Sequence, residues 1–160
     1  MLANSSIQST QTGFETLNLI NPICQALHEE KYTLPTPIQE QAIPYLVKGR
    51  DLLGCAQTGT GKTAAFALPI LQWLEQNRKN VSPKGVRALI LAPTRELAVQ
   101  IGESFRVYGR YLKIKQAVIY GGVRPAIQIR ALSRGVDILV ATPGRLLDLL
   151  NQRQLRLDKV

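Results

Sequence analysis

Leu52-Leu53-Gly54-Cys55-Ala56-Gln57-Thr58-Gly59-Thr60-Gly61-Lys62-Thr63 is an apolar run that breaks into glycines and ends in Gly-Lys-Thr before a helical pattern begins. It reads as a strand, a phosphate-binding loop and the start of a helix. Several backbone N–H groups converge on one anion only where the main chain curls tightly, and Gly59 and Gly61 carry no Cβ to resist that curl. A helix starting near Lys62 adds free N–H groups and the positive end of its dipole. Lys62 then offers an ammonium to the β- and γ-phosphates of a nucleotide, and Thr63 offers a hydroxyl to Mg²⁺. The pattern G-x-x-x-x-G-K-[ST] has glycine where this chain has Ala56, so the first turn must accommodate a methyl group. Glycine-rich turns before helices are common, but the attached Lys-Thr and the strand-like run ahead of it favour the phosphate loop.

Working outward, the order strand, polar or glycine turn, helix repeats along the chain. Strands are expected at Leu52 to Ala56, Ala88 to Ala92, Gln116 to Tyr120 and Asp137 to Ala141. The helices between them run from Thr63 to about Asn77, from Pro93-Thr94-Arg95-Glu96 to about Tyr111, from Pro125 to Leu132 and from Thr142 to about Leu150. The first of these is apolar enough to be buried against a sheet, with a kink at Pro69. Upstream, Asn21-Pro22 opens a short helix, and Pro35-Thr36-Pro37 leads into another that stops at Gly49. Residues 1 to 12 have the composition of a disordered tail. The alternation specifies an α/β fold with a parallel sheet, in which ligands bind beyond the carboxyl ends of the strands. Thr58 to Thr63, Pro93 to Glu96, Gly121-Gly122 and Thr142 to Arg145 all follow such ends, so they are expected along one edge.

The 160 residues fit one domain, and 45% hydrophobic residues suffice for a core. Twenty Lys and Arg against eleven Asp and Glu leave a formal charge of +9, which suits a polyanion and above all nucleic acid. A basic surface that merely aids solubility is the alternative. Cys24 and Cys55 have no metal or disulfide spacing, which fits a reducing compartment, and His28 reads as a structural histidine. No secretory signal and no membrane-length apolar run is visible.

Four motifs occur together and in order: Ala56-Gln57-Thr58-Gly59-Thr60-Gly61-Lys62-Thr63, Pro93-Thr94-Arg95-Glu96-Leu97-Ala98, Gly121-Gly122 and Thr142-Pro143-Gly144-Arg145. Together they resemble the first RecA-like domain of a DEAD-box ATP-dependent RNA helicase. Phe14 and Pro35-Thr36-Pro37-Ile38-Gln39 resemble that family's Q motif, here residues 13 to 41, so the likeness covers about residues 13 to 160. The resemblance implies ATP and Mg²⁺ as ligands, with Gln39 reading adenine and Phe14 packing nearby to fix the base pocket. A side-chain amide can donate to N7 of adenine and accept from its N6 amino group. Thr36-x-x-Gln39 is equally a capping box, in which Gln39 closes a helix start. Lys31 stands where the family commonly has glycine.

The resemblance also implies that Pro93, Thr94, Arg95, Gly121, Gly122, Thr142, Pro143, Gly144 and Arg145 grip the sugar-phosphate backbone of single-stranded RNA. Helix starts and glycine turns bind phosphate without reading sequence, and Arg95 and Arg145 add charge. Plain N-caps at Thr94 and Thr142 and a plain turn at Gly121-Gly122 are the other reading. Lys113, Lys115, Arg124, Arg130 and Arg134 either widen the basic surface or form a solvated face.

A P-loop ATPase also needs an acidic residue at a neighbouring strand end, and none of these strands ends in Asp-Glu. Asp137 is at the wrong end of its strand. The expectation is a partial RecA-like domain that stops before the Asp-Glu-Ala-Asp strand and binds ATP and RNA without turnover. It should be destabilised, have an unpaired sheet edge open to self-association, be cytoplasmic, and be bacterial in style for want of a long extension. Two rivals are a P-loop kinase or GTPase and a non-catalytic nucleotide- and RNA-binding module. The first lacks a guanine-reading Asn-Lys-x-Asp.

Overall fold

The computed structural model describes residues 13–160, so the tail expected at 1 to 12 lies outside the described residues. After a short 3₁₀ turn at Gly13–Leu17, the elements follow in the order α1 (Asn21–Glu29), α2 (Pro37–Val47), α3 (Lys62–Gln76), β1 (Val86–Leu91), α4 (Arg95–Tyr108), β2 (Gln116–Ile119), α5 (Pro125–Leu132), β3 (Val136–Ala141) and α6 (Pro143–Asn151). The strands form one parallel sheet in the order β1-β3-β2, the α/β architecture that the sequence specifies.

All six residues of the central strand β3 are buried, because each face of the sheet is covered by helices. Ile138 and Val140 face the larger core with Phe14, Ile23, Leu68, Leu71 and Phe105. Leu139 and Ala141 face the second, which Leu132 of α5 and Leu146 and Leu149 of α6 complete. That division follows from the two-residue period of a strand. At the amino end of the sheet, Asp137 pairs with Arg87 and accepts from the Lys115 backbone N–H at 2.9 Å, fixing β3 against both neighbours.

The strand expected at Leu52 to Ala56 is not formed. A strand needs a ladder partner, and β1 is paired through β3 on one side and touched on the other only at the Gly85–Arg156 bridge. Without a partner, Leu52 to Ala56 stays irregular and solvated, and Leu53 is 99% exposed. α3 packs chiefly on α2 and α4, and its Leu68 and Leu71 share the larger core with Ile138 and Val140 of the sheet, as expected of a helix buried against it. β1 is consequently an edge strand with Leu91 more than half exposed. None of the described helices is long and apolar enough to cross a membrane.

Candidate nucleotide and nucleic-acid site

Gly59 and Gly61 both adopt left-handed backbone, with φ of 81° and 89°, and produce the curl from which α3 begins at Lys62. Two side chains from the start of α2 hold this turn. Thr36 Oγ1 donates to Thr60 O at 2.8 Å, and Gln39 Nε2 donates to Gly61 O at 3.1 Å. Gln39 Oε1 also accepts from Thr36 N at 2.9 Å, which is the helix-closing bond of a capping box. Gln39 is fully buried, so its amide closes α2 and supports the glycine loop simultaneously. Within the loop, Lys62 Nζ donates to Ala56 O and Gln57 O, and Thr60 Oγ1 donates to Gln57 O at 2.9 Å. The ammonium therefore sits inside the curl, where an incoming phosphate would exchange with carbonyl oxygens for it.

Beside the loop lies an open cleft of about 390 Å³, lined by Ile38 and Ala42 of α2, by Lys62, Thr63 and Phe66, and by Leu97 and Ile101 of α4. The cleft places the loop next to the start of α4, as expected from a shared edge. Phe14 is fully buried. It meets Tyr32 edge-on at 6.3 Å, and Tyr32 meets Tyr108 in the same way, with the two hydroxyls 3.0 Å apart. Burial first, and then the hydrogen bond with Tyr32, hold the Tyr108 hydroxyl pKa well above its ordinary value, and the contact ties the segment after α1 to α4. Phe14 is thus a member of the larger core, packed on Tyr32.

Lys31, where the resembled family commonly carries glycine, has a φ of 62°. A lysine there pays a left-handed strain of about 1–2 kcal/mol. Lys31→Gly is therefore expected to raise the unfolding free energy measured by urea titration slightly, by up to about 1 kcal/mol after the added freedom of the unfolded chain is deducted.

The other three turns lie where the sheet places them, at the carboxyl ends of β1, β2 and β3. Thr94 is an N-cap whose hydroxyl accepts from Leu97 N at 3.3 Å. Pro93, Thr94 and Arg95 are exposed, and the Arg95 guanidinium lies over the Tyr120 ring at 5.1 Å. Thr142 makes no side-chain capping bond, and its N–H donates to Ile119 O at 3.0 Å. Gly121, Gly122, Pro143 and Gly144 are exposed. The Arg145 guanidinium bonds Gln128 Oε1 and Val123 O within the protein. Lys113, Lys115 and Arg134 precede β2 and β3 and so sit at the opposite end of the sheet, whereas Arg124 stays with the glycine turn. Sequence reasoning missed Thr36 Oγ1, Tyr120 and Gln128, and only Thr36 had a visible signal, as a helix N-cap.

Comparison with known proteins gives a consistent result. The family model described as DEAD/DEAH box helicase matches residues 36–160, a span that includes Gln39 and leaves out Phe14. The ATP-dependent rRNA helicase RRP3 of Yarrowia lipolytica is 48% identical over 145 residues, covering 91% of this chain and 29% of that protein. The ATP-dependent RNA helicase DeaD of Escherichia coli K12 is 47% identical over 151 residues, covering 94% of this chain and 23% of that protein. The chain thus spans under a third of the length of these curated relatives. Among solved structures, the RNA helicase Prp28 from Chaetomium thermophilum bound to ADP superposes with a TM-score of 0.84 at 40% identity, covering 93% of this chain and 36% of that one. A DEAD box protein from Methanococcus jannaschii gives 0.83 at 37% identity, covering 94% of this chain and 40% of that one.

Proposed function

Because the chain belongs to the DEAD/DEAH box helicase family, we propose that it carries the ATP-binding face and part of the RNA-backbone face of an ATP-dependent RNA helicase. The observation that carries this reading is the left-handed glycine turn at Gly59 and Gly61, held by Thr36 and Gln39 with Lys62 Nζ inside it. A curl of that kind binds anions through convergent N–H groups.

On this reading Ala56, Gln57, Thr58, Gly59, Thr60 and Gly61 wrap the phosphates, Lys62 neutralises their charge, and Gln39 reads adenine. Gln39 would have to give up its present bonds to Thr36 N or Gly61 O to do so, which couples base recognition to loop shape. Mg²⁺ takes oxygen ligands and usually arrives with substrate phosphates. Thr63 offers one hydroxyl at the loop, and the described residues contain no group of three His, Cys, Asp or Glu that would hold a metal alone. The residues thus fit a cation delivered by the nucleotide. It would supply charge neutralisation at the β- and γ-phosphates.

No Asp-Glu-Ala-Asp run occurs in the sequence, so the 160 residues by themselves are proposed to bind ATP and RNA without appreciable turnover. A non-catalytic nucleotide- and RNA-binding module remains the second reading for the same reason. Free cysteines at 24 and 55 and the absence of a membrane-length helix among the described residues support a cytoplasmic setting. In binding titrations, adenine nucleotides are expected to bind more tightly than guanine nucleotides. Gln39→Ala should weaken adenine binding about tenfold, the equivalent of one charge-free hydrogen-bonding pair. Equal affinity for both bases, or no change in Gln39→Ala, removes adenine reading from the assignment.

The β1 edge supports self-association as well. Among the described residues its outer side has no ladder beyond the isolated Gly85–Arg156 bridge just before it, and Leu91 at its end is exposed. Open edges of this kind template pairing with another chain. Sedimentation is expected to show concentration-dependent dimers of the chain as it stands; a monomer across a hundredfold concentration range, roughly the span that distinguishes weak from absent pairing, counts against it.

A further inference from the structure

Gln128 lies on α5, is 8% exposed, and has both ends of its amide engaged. Its Nε2 donates to Tyr120 O at 3.1 Å, and its Oε1 accepts from Arg145 Nη1 at 2.9 Å. Arg145 Nη2 in turn donates to Val123 O at 3.0 Å, and Arg145 Nε lies 3.6 Å from Asp148 Oδ2. The two carbonyls involved, Tyr120 and Val123, flank Gly121-Gly122. One amide and one guanidinium therefore clamp the glycine turn from both sides and fasten it to the first turn of α6. The Arg145 side chain is only 10% exposed, so its charge is committed to this clamp.

A second observation concerns what lies outside. A Cβ added at Gly121, Gly122 or Gly144 would meet nothing within 4 Å, so packing within the protein does not explain the small residues at Gly121 and Gly144. Open space over glycine backbone, next to the helix start at Pro143, suits close approach of an external phosphate. Among the described residues, their N–H groups find no partner in a turn or cap bond.

We propose that Gln128 is a positioning residue for RNA. With Arg145 it sets the Gly121-Gly122 turn against the start of α6, so that backbone N–H groups of both meet the phosphates while the Arg145 guanidinium does not. The proposal rests on the RNA reading above and adds what holds the glycine turn in place. Fixing such donors in advance raises affinity because less ordering is left to be done on binding.

The test uses this chain with a labelled ten-nucleotide uridine RNA, ADP titration as a separate readout, and a salt series. Four variants divide the roles: Gln128→Leu removes both amide bonds at similar volume, Gln128→Glu keeps the acceptor for Arg145, Arg145→Lys keeps the charge without the fork, and Arg145→Gln removes the charge. RNA affinity is expected to fall about tenfold in Gln128→Leu and in Arg145→Lys, the size of one or two lost hydrogen bonds. Gln128→Glu should lose less. ADP affinity should not change, which also reports that the variants are folded. The double variant Gln128→Leu with Arg145→Lys should lose little more than either alone, since both act through one clamp. In Arg145→Gln the slope of log K against log salt should stay at its original value. A direct phosphate contact would lower that slope by about 0.7. Such a drop, or wild-type affinity in Gln128→Leu or Arg145→Lys, overturns the proposal. If the unsubstituted chain binds no RNA, the RNA reading itself fails; if it binds RNA and Gln128→Leu is silent, only the positioning role does.

Discussion

Asp137→Ala is expected to unfold the chain or leave it barely stable at 25 °C. Asp137 Oδ1 is 2.9 Å from Arg87 Nη1, and both side chains are about nine-tenths buried. Its second oxygen accepts from Lys115 N at 2.9 Å, while Arg87 also bonds Asn77 O and lies over the Trp73 ring at 5.6 Å. The pair therefore joins β1, β3, the approach to β2 and the end of α3. Removing one member leaves an uncompensated buried charge, a loss of about 3–5 kcal/mol, against a total stability of about 5–15 kcal/mol for a domain. A further reason to expect a severe result is the unpaired β1 edge, which leaves this sheet little reserve. The double variant Asp137→Leu with Arg87→Met should be much milder, because no charge is stranded. Urea unfolding followed by circular dichroism checks both. A loss below about 1 kcal/mol in Asp137→Ala would show that water reaches the arginine and screens it.

The three strands that form were legible because each is a short apolar run, rich in Val, Ile or Leu, closed by a turn signal. Leu52 to Ala56 carries a similar local signal, yet strand formation is decided by a ladder partner, which is a tertiary property that no window of sequence contains. The glycine loop was legible because φ above zero and a close approach demand glycine at Gly61. The capping box at Thr36 and Gln39 was visible as spacing, and the structure shows its Gln39 half formed. What spacing could not show is that the same two side chains reach 22 and 24 residues ahead to Gly61 and Thr60. The partners of Arg145 were hidden for a related reason. A charge in a helix start looks free in sequence, and only packing reveals that Gln128, on another helix, has claimed it.

Gly61→Ala is expected to cost far more nucleotide affinity than Gly59→Ala, although the two glycines have nearly the same backbone. Their φ values are 89° and 81°, so alanine at either pays a left-handed strain of about 1–2 kcal/mol, or roughly tenfold in a binding constant if the loop must keep its curl. The surroundings differ. A Cβ at Gly59 meets nothing within 4 Å, whereas one at Gly61 would sit 2.4 Å from Gln39 Nε2 and 3.1 Å from Thr36 Oγ1. Gln39 is fully buried and closes α2, while the loop is largely exposed, so the loop should be the part that yields. Yielding breaks the bonds to Thr60 O and Gly61 O that hold the curl, which adds about 1–2 kcal/mol and brings the total loss to roughly a hundredfold. Placing Gly61→Ala in a Gln39→Ala background removes the colliding amide but leaves the φ strain. The cost of the substitution should then shrink toward the tenfold expected of Gly59→Ala, and the two changes should be strongly non-additive. An equal cost in both backgrounds would mean that Gln39 does not brace the loop. In that case its amide would serve α2 alone.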